Sequence, residues 1–185
     1  LTLDEARRNP VRTFLSGPVG GAVGASAIAK AAGIRSFLTF DMGGTSTDVG
    51  VFPDGNARMS FENQIDAFPL RVPQIDLHTI GAGGGSIAHR AADGTLEVGP
   101  ASAGADPGPA CYGRGGVDVT VSDANVVLGR LPSGTRLGGH LALQPSLATE
   151  ALTCLGQSMG TDDIVRLADG AIRIAVAKMA GAVRE

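Results

Sequence analysis

Two aspartates, Asp41 and Asp48, bracket a turn that contains Gly43, Gly44, Thr45, Ser46 and Thr47. Glycines let main-chain N–H groups approach an anion closely, and the three hydroxyls add further donors. The flanking carboxylates can hold a hydrated Mg²⁺ or orient a nucleophile. Together these residue types suit the cradling of a phosphate. The competing reading is a tight hairpin in which glycine serves geometry and Ser/Thr serve turn hydrogen bonds. A second turn, Gly83, Gly84, Gly85 and Ser86, follows an alternating segment and offers a further phosphate or nucleotide contact. It does not fit a dinucleotide site, which needs a helix and then, about 20 positions on, an acidic residue ending a strand. Asp93 and Gly94 interrupt any such helix, and Glu97 runs into Gly99 and Pro100.

The other reactive side chains are less organised. His78, His89 and His140 share no metal-ligand spacing with one another or with Cys111 and Cys154. Alternation puts Asp76 and His78 on one strand face leading into the triple glycine, where structural and catalytic roles are equally open. Cys111 has no flanking base and reads as a buried small residue. Asp123 reads as a carboxylate at a helix start, favoured by the helix dipole.

These residues need elements to hold them. Residues 36–40 and 48–52 read as the two strands of the hairpin. A helix over 18–32 precedes them, with Pro18 at its first turn and Gly33 past its end. Gly20, Gly21 and Gly24 lie inside it, each less favourable than Ala by about 1 kcal/mol, which implies close packing on a sheet or an approaching ligand. The string Pro53-Asp-Gly-Asn56 reads as a turn into a strand at 57–62, and 74–80 alternates as another. Half of residues 99–116 are Gly or Pro, which reads as an ordered loop over a ligand or a domain seam. Helices follow at 122–128, capped by Ser122, and at 146–157, ended by Gly160. A last helix is capped by Thr161 or Asp162, with Ile164, Leu167, Ile172, Ala175, Met179 and Val183 on its buried face.

The 185 residues suffice for one domain or one lobe. They are 43% hydrophobic but only 4% aromatic with no Trp, so the core must be aliphatic. A net charge of −3 provides no basic face for nucleic acid. No apolar run approaches a membrane span, and no leader opens the chain. Two cysteines in dissimilar contexts fit a reduced, cytoplasmic protein. The chain starts in a charged stretch and stops within an amphipathic pattern, so it reads as an excerpt of a longer polypeptide.

Five strings occur in order: Ser16-Gly-Pro-Val-Gly-Gly-Ala-Val-Gly-Ala25, Phe40-Asp-Met-Gly-Gly-Thr-Ser-Thr-Asp-Val49, Ile75-Asp-Leu-His-Thr-Ile-Gly-Ala-Gly-Gly-Gly-Ser-Ile-Ala88, Val98-Gly-Pro-Ala-Ser-Ala-Gly-Ala-Asp-Pro-Gly-Pro-Ala-Cys-Tyr-Gly113 and Thr120-Val-Ser-Asp-Ala-Asn-Val-Val-Leu-Gly-Arg-Leu131. Together they resemble the hydantoinase A/5-oxoprolinase family over nearly the whole chain. The resemblance implies an α/β lobe of the actin, heat-shock-chaperone and sugar-kinase (ribonuclease H-like) type, with a β-hairpin phosphate loop and C-terminal helices. It makes residues 1–185 part of a hydantoinase A/oxoprolinase domain. An earlier lobe with its own phosphate hairpin and a later adenosine-binding turn would lie outside it.

By that resemblance the cofactors are ATP and Mg²⁺. Gly43, Gly44, Thr45, Ser46 and Thr47 would contact phosphate. Asp41 and Asp48 would stand near Mg²⁺ or the transferred group, Asp41 reaching the metal through water. Gly83, Gly84, Gly85 and Ser86 would line the cleft. The implied reaction is ATP-dependent opening of a cyclic amide such as a hydantoin or 5-oxoproline, by phosphorylation of the amide oxygen. The implied partner is a hydantoinase B-type subunit or fused domain. Two alternatives stand beside it: the activating subunit of an acetone/acetophenone-type carboxylase, and a non-catalytic, ATP-responsive actin-like scaffold. Alone, the 185 residues would supply half of the phosphate contacts and little or no activity.

Overall fold

The structure, a computed structural model, describes residues 2–13, 16–61, 63–65, 68–132 and 134–184. It is a mixed α/β arrangement of two compact units, Leu1–Asp41 with Asp48–Thr79, and Met42–Thr47 with Ile80–Glu185.

In the first unit, α1 (Leu3–Arg8) opens on a capping box between Thr2 and Glu5. Helix α2 (Ser16–Ala31) starts two residues before the expected Pro18 and stops at Gly33, whose φ is 72°. Strands β1 (Phe37–Met42) and β2 (Thr47–Phe52) form the expected hairpin. Strand β7 (Leu77–Ile80) adds to β2, giving the order β1-β2-β7. Gly50 sits in the middle strand because a Cβ there would lie 2.8 Å from the side chains of both Leu77 and Thr39. Phe37 and Phe52 stack with ring centroids 4.7 Å apart and fasten the base of the hairpin.

Three expectations for this unit need correction. The strand at 57–62 shortens to β3 (Met59–Ser60), paired with β6 (Gln74–Ile75); residue 62 lies outside the described residues. The strand at 74–80 is broken at Asp76, whose amide donates to the Arg58 carbonyl instead of continuing the β7 ladder. Asp76 and His78 therefore do not share one strand. An antiparallel pairing of β4 (Asn63–Ile65) with β5 (Phe68–Leu70) was not anticipated.

In the second unit, β8 (Ser86–Arg90) and β9 (Leu96–Ser102) form an antiparallel hairpin. Three helices pack with it: α3 (Val121–Val127), α4 (Pro145–Met159) and α5 (Ile164–Arg184). The core is aliphatic and built largely of small residues, among them Ala88, Val98, Ala124, Leu152, Ala168, Ala171 and Ala175. A short hairpin of β10 (Arg136–Leu137) and β11 (Leu141–Ala142) lies between α3 and α4 in sequence.

Several boundaries move here for local reasons. Residues 99–102 of the Gly/Pro-rich stretch complete β9 rather than beginning a loop. Helix α3 is capped by Thr120, not Ser122, because Thr120 and Asp123 form a reciprocal capping box. Before α5, Asp163 accepts the Arg166 amide, displacing Thr161 and Asp162 as the cap. On that helix Val183 is exposed and Ala182 is buried, continuing the row from Ala175 and Met179. Among the described residues, no helix is long and apolar enough to cross a membrane.

Candidate functional site

The tip of the β1–β2 hairpin is closed by the Gly43 amide donating to the Ser46 carbonyl at 2.8 Å. Neither Gly43 nor Gly44 has a positive φ, so the turn itself does not demand glycine at either place. A Cβ on Gly44 would meet nothing within 4 Å. That leaves the backbone approachable from outside, the reason glycine serves where a ligand must come close. Gly43, Gly44 and Thr45 are exposed. Among the described residues, the amides of Gly44, Thr45 and Ser46 donate to no protein acceptor. A run of N–H groups without protein acceptors suits an anion.

The triple glycine has a different job. The amides of Gly84 and Gly85 donate to the carbonyls of Gly43 (3.0 Å) and Gly44 (2.6 Å), and the Gly83 amide donates to the Ser86 hydroxyl (2.8 Å). The carbonyls of Gly84 and Gly85 accept the amides of Ser122 and Ala103. A Cβ on Gly83 would fall 2.7 Å from the Gly43 carbonyl oxygen, so only glycine lets the two turns touch. Gly83, Gly84, Gly85 and Ser86 thus form a pedestal under the hairpin tip, their amides already committed to protein. Thr47 belongs to the same support. It is fully buried and donates its hydroxyl to the Ala82 carbonyl at 2.6 Å. Thr45 keeps an exposed hydroxyl, with Ser102 Oγ at 3.5 Å.

In the first unit, Asp41 and Asp48 both line a cavity of about 300 Å³ beside α2. Gly21 of α2 lines it as well, and a Cβ there would stand 3.4 Å from Asp41 Oδ2, close to ordinary van der Waals contact. Gly20 and Gly24 meet nothing within 4 Å, so only Gly21 has a close neighbour. Asp48 Oδ1 accepts the Thr79 hydroxyl at 2.5 Å, which fixes the carboxylate's orientation. Thr79 escaped the sequence reading because its partner lies 31 residues away. Among the described residues no group of three or more His, Cys, Asp or Glu could hold a metal. Two carboxylates nevertheless suit Mg²⁺, which uses one or two of them and completes its shell with water and phosphate oxygens.

Asp123 does more than cap a helix. Its fully buried carboxylate accepts the amides of Ala110 (3.2 Å), Cys111 (2.7 Å) and Thr120 (2.9 Å), and the Thr120 hydroxyl (2.7 Å). It therefore pins the end of the Gly/Pro-rich loop to the start of α3. The Thr-x-x-Asp spacing was the available signal for the cap; the bonds to residues 110 and 111 had none. Cys111 is fully buried, and burial first, then the neighbouring Asp123 carboxylate, pushes its thiol well above the ordinary range. It is not a nucleophile in this state. His78 and His140 are exposed, and His89 stands 3.7 Å from Glu97 across the β8–β9 hairpin.

The sequence profile of the hydantoinase/oxoprolinase family matches residues 1–185. Caprolactamase subunit alpha from Pseudomonas jessenii is 40% identical over 179 residues, covering 96% of this chain and 26% of its own length. The 5-oxoprolinase of Saccharomyces cerevisiae is 44% identical over 130 residues, 70% of this chain and 10% of that protein. Nucleotide-free acetone carboxylase superposes with a TM-score of 0.78 at 30% identity, over 87% of this chain and 23% of that one. The chain thus spans about a quarter or less of the length of these relatives.

Proposed function

The chain belongs to the hydantoinase/oxoprolinase family, and from that premise we propose that residues 41–48 form a phosphate clamp of an ATP-dependent hydrolase that opens a cyclic amide. The observation that carries this reading is the tip itself: three uncommitted amides at residues 44–46, with open space where a Gly44 side chain would be. ATP supplies a phosphoryl group that turns the poorly electrophilic amide into one with a good leaving group at its former carbonyl oxygen.

The chain's own part is positioning and charge stabilisation. Gly43 and Gly44 give the phosphate room, the amides of Gly44, Thr45 and Ser46 donate to its oxygens, and the Thr45 hydroxyl adds a donor. Asp41, the more exposed of the two aspartates, would hold Mg²⁺ through water, and Asp48, oriented by Thr79, would serve the metal or the transferred group. Thr47 and residues 83–86 keep the tip in shape. In this reading the fold is one actin-like lobe, a hydantoinase B-type subunit or domain completes the enzyme, and the setting is the reducing cytoplasm.

Asp41→Ala in the intact protein should abolish lactam-stimulated phosphate release, with turnover at the wild-type rate refuting the assignment. A ketone carboxylase is the second reading, favoured by the likeness to acetone carboxylase. The same clamp would serve it. Phosphate release stimulated by a ketone with bicarbonate, and not by lactams, would select it.

A further inference from the structure

A second cavity in the first unit, about 520 Å³, opens beside the base of the hairpin. It uses the same side of α2 as the cavity at Asp41 and Asp48, further along: Ser26 and Lys30 follow Ala22 at helical spacing. Arg35 and Asp54 each stand six residues from one of those aspartates, Arg35 before Asp41 and Asp54 after Asp48. At about 3.3 Å per residue that separates the two sites by up to roughly 20 Å.

The lining combines three features. Lys30 and Arg35 supply two cations, and Asp54 supplies one carboxylate. Among the described residues none of the three takes part in an ion pair, and the Asp54 carboxylate accepts no hydrogen bond. Phe37 and Ile34 add apolar surface to the lining, Phe37 being held in place by its stack on Phe52. Asp54 also holds a left-handed backbone, φ 51° and ψ 33°, stabilised by its amide donating to Ser36 Oγ at 3.2 Å. Aspartate and asparagine are among the few residues besides glycine that take that conformation.

Two cations, one carboxylate and apolar surface in a single cavity suit a ligand that carries a carboxylate, an ammonium and methylenes. We propose that this cavity binds a zwitterionic amino acid: Arg35 and Lys30 take the carboxylate, the guanidinium with two parallel hydrogen bonds, and Asp54 takes the ammonium. Hydrolysis of a lactam's C–N bond by water yields such a molecule, one carboxylate and one amine per ring. The ligand class therefore rests on the cyclic-amide reading, and the site would sense the product of the clamp's reaction.

The test is calorimetric titration of the intact protein with 6-aminohexanoate, with hexanoate and hexylamine as single-charge controls. The proposal expects saturable binding of 6-aminohexanoate and at least tenfold weaker binding of either control. Arg35→Gln and Asp54→Asn should each weaken it at least tenfold; Asn tolerates the left-handed backbone, and unchanged thermal melts will certify both folds. Asp41→Ala should leave it unchanged. No saturable binding, or binding indifferent to both substitutions, overturns the proposal. Failure of the cyclic-amide reading shows elsewhere, as a lack of lactam-stimulated phosphate release while 6-aminohexanoate still binds.

Discussion

Gly83 and Gly44 lie on opposite sides of the same contact, and replacing each by Ala separates packing from ligand approach. At Gly83 the new Cβ would sit 2.7 Å from the Gly43 carbonyl oxygen and 2.8 Å from the Gly44 carbonyl carbon and oxygen. All three are backbone atoms, so no side chain can swing aside and the tip must move. Overpacking of this kind costs about 1–3 kcal/mol. The displacement also strains the two amide bonds from Gly84 and Gly85, each worth about 1 kcal/mol net. With both bonds lost the sum is about 3–5 kcal/mol, or roughly 6–20 °C in Tm. At Gly44 the Cβ meets nothing, and the backbone φ is one that Ala accepts. Gly44→Ala should stay within about 0.5 kcal/mol of wild type, yet lower lactam-stimulated ATP turnover by on the order of tenfold or more as the methyl displaces the phosphate. Melting followed by circular dichroism, with phosphate release measured on the same samples, reads both. A Gly83→Ala protein melting within a degree of wild type would refute the pedestal, and a fully active Gly44→Ala would refute the clamp.

Other outcomes follow from the same geometry. Asp123→Asn turns one buried acceptor into a donor facing amide groups and should lower stability by about 3 kcal/mol or more in urea unfolding; a loss under about 1 kcal/mol would contradict the four-bond pin. Iodoacetamide should label exposed Cys154 in the native protein and Cys111 only after denaturation; native labelling of Cys111 would contradict its burial. The raised thiol also fixes a sign. The unfolded chain loses the Cys111 proton near pH ~8.5 while the native chain keeps it, so above that pH the native state binds more protons and stability falls as pH rises. Cys111→Ala should flatten that decline, and an unchanged slope would count against it. Thr79→Val should lower lactam-stimulated phosphate release roughly tenfold or more through Asp48, as loss of an orienting partner does. Thr79→Ser should restore most of it; equal defects in both would point to packing instead.

What the sequence disclosed was mostly what neighbours in the chain decide. The hairpin at Asp41 to Asp48 was legible because two apolar runs and a Gly-Gly turn specify it locally. The α5 stripe was legible because Leu167, Ile172, Ala175 and Met179 repeat at helical spacing. The pedestal was not, since the reason for Gly83 is a carbonyl forty residues earlier, and a glycine-rich turn looks the same whether its amides meet a phosphate or another backbone. The break at Asp76 depends on Arg58, and the loop anchoring by Asp123 depends on residues 110 and 111. Thr120 was a different case: its capping box was readable, and Ser122 was the wrong hydroxyl of the two.

The central claim is that the amides at 44–46 are open to a phosphate while those at 83–85 are already bonded. Hydrogen–deuterium exchange of the intact protein, with and without a non-hydrolysable ATP analogue and Mg²⁺, tests it most directly. The account predicts fast exchange at residues 44–46 that slows on adding the nucleotide, and slow exchange at residues 83–85 in both conditions. Saturating nucleotide that leaves residues 44–46 exchanging as fast as before would contradict it.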